Sequence, residues 1–206
     1  MSVDALQKKA EARWKASDPV MWKLSRAHPL EGEPPIQSPD GFATLVQSIT
    51  HQQVSMAAAR TIHGRLVKVL GGKVTPRRVL NRTPEQLRSA GLSRGKTEYV
   101  LDLADKTLRK EVEFHRFPAM ADEAILEELT AVKGIGTWTA KMFLLFHLHR
   151  PDVFAPEDLG LRMGVARAYG VPEPKAKAVM ESHRAYWSPY NSVAARVLWT
   201  SLRVAT

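Results

Sequence analysis

The chain has 206 residues, 44% apolar and 25% charged, which is long enough for one or two domains with a real core and too apolar for a disordered polymer. It has no cysteine, which excludes disulfides, a cysteine nucleophile, thiolate zinc sites and a cysteine-ligated iron–sulfur cluster together. The formal net charge is +9, and residues 60–110, with thirteen Lys and Arg against four acids, carry the whole surplus, the footprint expected of a protein that meets a polyanion such as nucleic acid.

Taken in chain order, the N-terminal residues show no apolar core ahead of a small-residue cleavage site, so no secretory leader is expected. Asp18-Pro19 reads as a helix N-cap followed by proline at the first helical position. Pro29, Pro34, Pro35 and Pro39 mark a connection. From Phe42 the residues Leu45, Val46 and Ile49 fall at helical spacing. Ser55 can cap a next helix with Ala59, Ile62, Leu66 and Leu70 inward, stopped by Gly71-Gly72. Thr83-Pro84-Glu85-Gln86 has the form of a capping box, closed at Gly91. Ser93 starts a helix to about Lys110, and Asp122 precedes one that ends at Lys133. Thr137–Leu148, Leu159–Tyr169, Pro174 to about Tyr186 and Pro189–Arg203 complete the series. No period-two alternation and no Asn-Gly or Asp-Gly hairpin occurs. The fold class expected is all-α, with about ten helices. The longest apolar run, Met142 to Phe146, is far short of a membrane span. Trp14, Trp22 and Trp187 are expected in the core.

The stretch from Leu129 to Phe146 carries chemistry. An apolar helix runs into Gly134-Ile135-Gly136, and a second helix starts at Thr137. Both glycines are expected to turn the backbone with positive φ and to let a ligand approach closely. The helix start beyond them offers unpaired N–H groups and a positive dipole end, which suits a phosphate. Read alone, Gly-x-Gly is a plain turn, and Asp158 is a helix N-cap.

The order Ser48-Ile-Thr-His51-Gln52-Gln53-Val-Ser55, then Gly134-Ile-Gly136-Thr-Trp138-Thr139-Ala, then Pro156-Glu157-Asp158 resembles the helix-hairpin-helix superfamily of DNA glycosylases. The likeness is greatest to the 3-methyladenine DNA glycosylase II branch in its short form without an N-terminal β-domain. It covers about Asp18 to Leu202. The resemblance implies two helical lobes: residues 41–149 with the DNA-binding hairpin, and 1–40 plus 150–206, with the active site in the cleft between them. It implies a repair enzyme that flips alkylated bases out of duplex DNA and hydrolyses the N-glycosidic bond, leaving an abasic site. The alternative is a non-catalytic helix-hairpin-helix module that binds DNA.

Residue by residue, the resemblance makes Asp158 the catalytic carboxylate, with Glu157 the runner-up. It sets Trp138, Trp199 and Met142 around the base, Met142 standing where a tyrosine occurs in the branch. It gives Gln53 the wedge position, with His51, Gln52, Ser55, Lys133, Gly134, Gly136 and Thr139 on DNA. The main-chain carbonyls of Thr130, Val132 and Ile135 match those that hold a Na+ or K+ ion. Beyond that ion it implies no cofactor and no iron–sulfur cluster. The partner implied is double-stranded DNA with a damaged base, for a monomer that meets no membrane, in the bacterial cytoplasm or the eukaryotic nucleus. Bifunctional superfamily members carry a lysine two residues after the second glycine; here that position is Trp138, so strand cleavage is not expected. Lys96 is expected at a phosphate, and His147-x-His149 lacks a third ligand for a metal.

Overall fold

The computed structural model describes residues 2–30 and 40–203. Pro34, Pro35 and Pro39, read above as a connection, lie outside the described residues. Among the described residues there are twelve α-helices, one short 3-10 turn and no strand. In chain order they are α1 (Val3–Ser17), α2 (Pro19–Ala27), α3 (Gly41–His51), α4 (Met56–Val69), α5 (Pro76–Leu80), α6 (Pro84–Ser89), α7 (Arg94–Leu108), the 3-10 turn Phe117–Ala119, α8 (Asp122–Thr130), α9 (Thr137–Phe146), α10 (Leu159–Tyr169), α11 (Glu173–Trp187) and α12 (Asn191–Arg203).

The helix starts follow side-chain chemistry. Asp18, Ser55, Thr83 and Ser93 each accept a hydrogen bond from a backbone N–H of the first turn of α2, α4, α6 and α7. The Thr83 box is reciprocal, with the Thr83 N–H donating to Gln86 Oε1 at 2.9 Å. Four expectations need correction. Asp122 does not precede α8 but is its first residue, after Ala121, which gives no side-chain cap. α8 stops at Thr130, because the Val132 N–H returns to the Leu129 carbonyl in a tighter turn. α12 begins at Asn191, whose N–H and Nδ2 both donate to Asp152 Oδ1. Two helices, α1 and α5, had not been expected at all.

The chain divides into two compact units. Met1–Ile36 with His149–Thr206 form one, and Gln37–Leu148 form the other. In the first, α10 packs on α11 and α12, and α1 on α2. Its core holds Trp14, Met21, Met180 and Trp187. Asp18 is buried there and fully used. One oxygen caps α2, and the other accepts from the Tyr169 hydroxyl and from Trp187 Nε1 at 2.8 Å. Burial and that bond to Asp18 push the Tyr169 phenol pKa far up. Trp22, expected in the core, is only half-buried, with the Lys15 ammonium 5.9 Å from its ring.

In the second unit, α7 packs on α3 and α5, and α8 on α9. The core is aliphatic around Leu45, Ile49, Leu66 and Leu103, with an aromatic cluster of Phe114, Phe117 and Phe143 at ring separations of 5.3–6.0 Å. Part of the basic stretch serves this fold. Arg78 donates to the carbonyls of Leu70 and Gly71, and Arg82 to that of Val69. Both guanidiniums thereby close the C-terminal end of α4, where carbonyls have no helical partner.

Candidate active site

Asp158 stands at the N-cap of α10, in the first unit, and is 8% exposed. Its Oδ1 accepts two bonds, from the Leu161 N–H at 2.7 Å and from the Trp199 indole N–H at 3.0 Å. The carboxylate is thus oriented from two directions. Gly160 makes room for the arrangement. A Cβ there would come within 3.0 Å of Trp199 Nε1 and 3.1 Å of Asp158 Oδ1. Trp199, assigned to the base by resemblance, has its polar edge engaged by Asp158. Glu157 next to it is exposed.

The second unit holds a cavity of about 500 Å³. One wall is α3, with Gln47, Ser48 and His51; the other is α9, with Trp138, Thr139 and Met142; Gln52, Gln53 and Met56 close the end. Trp138 leaves 46% of its surface exposed at the cavity. The volume lies in the range of small-ligand sites, and the lining mixes an indole and thioethers with a few polar groups, as such sites do. His51 Nδ1 is 2.7 Å from the Gln47 carbonyl. A carbonyl can only accept, so Nδ1 carries the proton, and in the neutral ring Nε2 is the acceptor. His63 lies behind it, ring centroids 6.4 Å apart. Burial first, and then the neighbouring His51, lower the His63 pKa.

The loop between α3 and α4 presents Gln53, exposed and at φ +53°. A non-glycine residue in the left-handed region is uncommon and clusters at functional loops. Ser55 is exposed, but its hydroxyl caps α4. Gln52 does not point away from the protein: its Nε2 donates to the Gly134 carbonyl at 2.9 Å. Lys96 is also turned inward, with Nζ 2.8 Å from Thr50 O and 2.6 Å from Gln52 O, so the expectation of a phosphate contact is replaced.

The two hairpin glycines differ. Gly134 has φ +78°, and a Cβ on it would fall 2.1 Å from the Tyr99 ring. Gly136 has φ −89°, contrary to expectation, and open space where its Cβ would be. It is the N-cap of α9 and, having no side chain, gives that helix no side-chain cap. Lys133 is exposed beside them, its own N–H donating to Asp102 Oδ2 at 2.8 Å. Thr139, expected on DNA, is 8% exposed and faces the cavity instead. The carbonyls of Thr130 and Ile135 receive no backbone hydrogen bond among the described residues, and that of Val132 receives one, from Ile135 at 3.1 Å. Oxygen atoms in this state suit a hard cation.

Tyr99, Gly160 and Gln47 were not singled out from the sequence. Only Gly160 left a trace there, in the small-residue spacing Gly160-x-x-x-Gly164 on α10. His147, weighed as a metal ligand, instead pairs with Thr44 Oγ1 at 3.1 Å and stacks on Phe143 at 4.5 Å.

Comparison with known proteins gives three kinds of match. The family model described as HhH-GPD superfamily base excision DNA repair protein covers residues 46–189. A Saccharomyces cerevisiae DNA-3-methyladenine glycosylase is 32% identical over 195 residues, 78% of this chain and 66% of that protein. The chain spans between 62% and 76% of the length of the curated relatives it first matches. Among solved structures, a Bacillus halodurans DNA-3-methyladenine glycosidase superposes with a TM-score of 0.86 at 31% identity, over 99% of this chain and 92% of that one. Schizosaccharomyces pombe 3-methyladenine DNA glycosylase in complex with abasic DNA follows at 0.83 and 26%, over 96% and 98%.

Proposed function

This chain belongs to the HhH-GPD superfamily of base excision DNA repair proteins, and we propose that within it the protein is a monofunctional DNA glycosylase for alkylated bases of the 3-methyladenine type. The observation that carries the reading is the Asp158 carboxylate, nearly buried and oriented by Trp199 and the α10 backbone.

A duplex hides its bases, so the target nucleotide is extruded and Gln53, at the strained tip of its loop, enters the gap. The N–H groups at Gly136 and the start of α9 take a backbone phosphate, with Lys133 beside it. A Na+ or K+ ion would be held by the carbonyls of Thr130, Val132 and Ile135 and would supply positive charge to the hairpin. Trp138 and Met142 receive the base. An alkylated purine carries positive charge, which an indole face attracts. As the bond from base nitrogen to sugar C1′ breaks, positive charge builds on the deoxyribose, and the Asp158 carboxylate stabilises it. Water adds its oxygen to C1′ and passes a proton to the Asp158 carboxylate, and the base leaves with the electron pair of the broken bond. An indole cannot form a Schiff base, so with Trp138 at the lysine position of bifunctional members the strand stays intact. Double-stranded DNA is the only partner this requires, and the protein acts as a monomer.

The test is Asp158→Asn on a duplex with one alkylated purine. Asn keeps the shape and can still cap α10. Base release should fall by well over tenfold, about 1.4 kcal/mol in the barrier, with duplex affinity unchanged. Release within tenfold of wild type would remove the assignment. The strand should break only after alkali or an added abasic-site nuclease, and borohydride should trap no covalent adduct.

A further inference from the structure

The loop that carries Gln53 is held from a distance. α3 ends at His51, and the last carbonyls of a helix lack partners within it. The Lys96 ammonium, in the first turn of α7, donates to two carbonyls at this end, Thr50 at 2.8 Å and Gln52 at 2.6 Å. The Gln52 side chain then reaches across to the Gly134 carbonyl in the hairpin, at 2.9 Å. Gly134 itself is fixed by the ring of Tyr99, three residues after Lys96 on the same helix. One face of α7 therefore holds both loops: Lys96 grips the Gln53 loop, Tyr99 backs the hairpin, and Gln52 ties the two together. Gln53 follows directly on the clamped residue, with φ +53° and its side chain exposed.

We propose that Lys96 is a positioning residue for base extrusion: its grip on Thr50 and Gln52 presets the Gln53 loop in the conformation that enters the duplex, and through Gln52 it fixes that loop relative to the hairpin. The proposal rests on the reading of the protein as a glycosylase with Gln53 as its wedge. Lys96 touches neither base nor sugar. The half-buried lysine is also a poor phosphate ligand, since its hydrogen bonds to Thr50 and Gln52 point into the protein. Burial lowers its pKa, which is the mark of an ammonium drawn from water into this contact. A left-handed glutamine is a conformation that the surrounding structure has to impose, and the clamp is what imposes it.

The experiment compares wild type with Lys96→Met, Lys96→Arg, Gln52→Ala, Gln53→Ala and the double variant Lys96→Met/Gln53→Ala. Two readouts are taken. One is the single-turnover rate of base release from a duplex with one alkylated purine. The other is the fluorescence of 2-aminopurine placed opposite a tetrahydrofuran abasic analogue, which rises when the wedge unstacks it. Lys96→Met should lose about tenfold or more in rate, and most of the fluorescence rise, while its affinity for undamaged duplex stays as in wild type. Lys96→Arg should recover most of both. If Lys96 acts through Gln53, the double variant is no slower than Gln53→Ala alone, whereas independent losses would multiply. Wild-type rate and fluorescence in Lys96→Met, or multiplying losses in the double variant, overturn the proposal. Should Lys96→Met fail to fold, Gln52→Ala decides, since it cuts the other end of the clamp: about threefold or more lost in rate and fluorescence upholds the proposal, and wild-type values overturn it. If wild type releases no base, the glycosylase reading fails, and the fluorescence comparison of wild type with the variants still decides the clamp.

Discussion

Gly134 and Gly136 are indistinguishable in the sequence and are there for different reasons. Gly134 combines φ +78° with a tyrosine ring where its Cβ would be. Left-handed geometry costs an L-residue roughly 1–2 kcal/mol and overpacking a further ~1–3. Gly134→Ala should therefore lower the melting temperature by about 5 °C or more. Gly136→Ala meets neither obstacle, so its stability should stay within about 0.5 kcal/mol of wild type. It should nonetheless weaken duplex binding, because its methyl occupies the space through which a phosphate approaches α9. Thermal melts and duplex titrations on the pair separate the two roles; equal melting temperatures would contradict the account of Gly134. His63 gives a second test at this scale. Its folded pKa lies below the ordinary value of 6.5, through burial and His51. The unfolded chain thus binds the proton more readily, and stability falls as pH drops below about 6.5. His63→Phe should flatten that part of the curve. Urea titrations between pH 5 and 8 that slope equally in both proteins would show the loss comes from elsewhere.

At the scale of elements, the caps at Asp18, Ser55, Thr83 and Ser93 were legible because each is a local pattern of three or four residues. α1 was not. Its buried stripe is Val3, Gln7, Ala10 and Trp14, and only two of these are strong hydrophobes. Gln7 is buried because α2 and the turn after it satisfy it, through Ser25 and the Leu30 N–H. Those partners are invisible from within α1. α5 has only five residues, too few for a periodic signal. The same limit governs the site. The motifs single out Asp158, Trp138 and Gln53 as candidates, but the bonds from Trp199 to Asp158, Lys96 to Thr50 and Gln52 to Gly134 join residues 41, 46 and 82 apart. No local pattern encodes such pairs. Asp18 shows what a cap can become once tertiary partners gather on it. Asp18→Ala removes the α2 cap and leaves the Tyr169 hydroxyl and Trp187 N–H without their acceptor. A cap contributes ~1 kcal/mol and each orphaned buried donor costs about 1–3. A loss of roughly 3 kcal/mol or more is expected in urea unfolding; less than about 1 would mean that neither donor depends on Asp18.

For the whole molecule, the +9 charge, read from the sequence as the footprint of a polyanion partner, overstates how many cations are available to serve one. Arg78, Arg82 and Lys96 are turned onto helix-end carbonyls. Affinity for duplex DNA should fall linearly on a log–log plot against salt. Lys133→Gln, at the hairpin, should reduce that slope by about 0.9, one phosphate's worth. Arg78→Gln should leave the slope alone and lower the melting temperature. If Arg78→Gln changed the slope as Lys133→Gln does, its guanidinium would be meeting DNA and not the carbonyls of Leu70 and Gly71.

The first unit is written in two pieces, with the whole of Gln37–Leu148 between them. During synthesis α1 and α2 leave the ribosome before α10, α11 and α12, yet α1 packs on α11 and α12, and α2 on α10 and α12. Trp14 and Met21, which end with no exposed surface, must wait for these later helices. At bacterial or eukaryotic elongation rates that wait is roughly ten to thirty seconds. The contiguous unit has no such delay and can close its core while the first helices are still uncovered on the nascent chain. Stalled ribosomes would show this order as protease protection: Gln37–Leu148 becomes resistant soon after Leu148 clears the exit tunnel, and α1 and α2 only after Arg203 does.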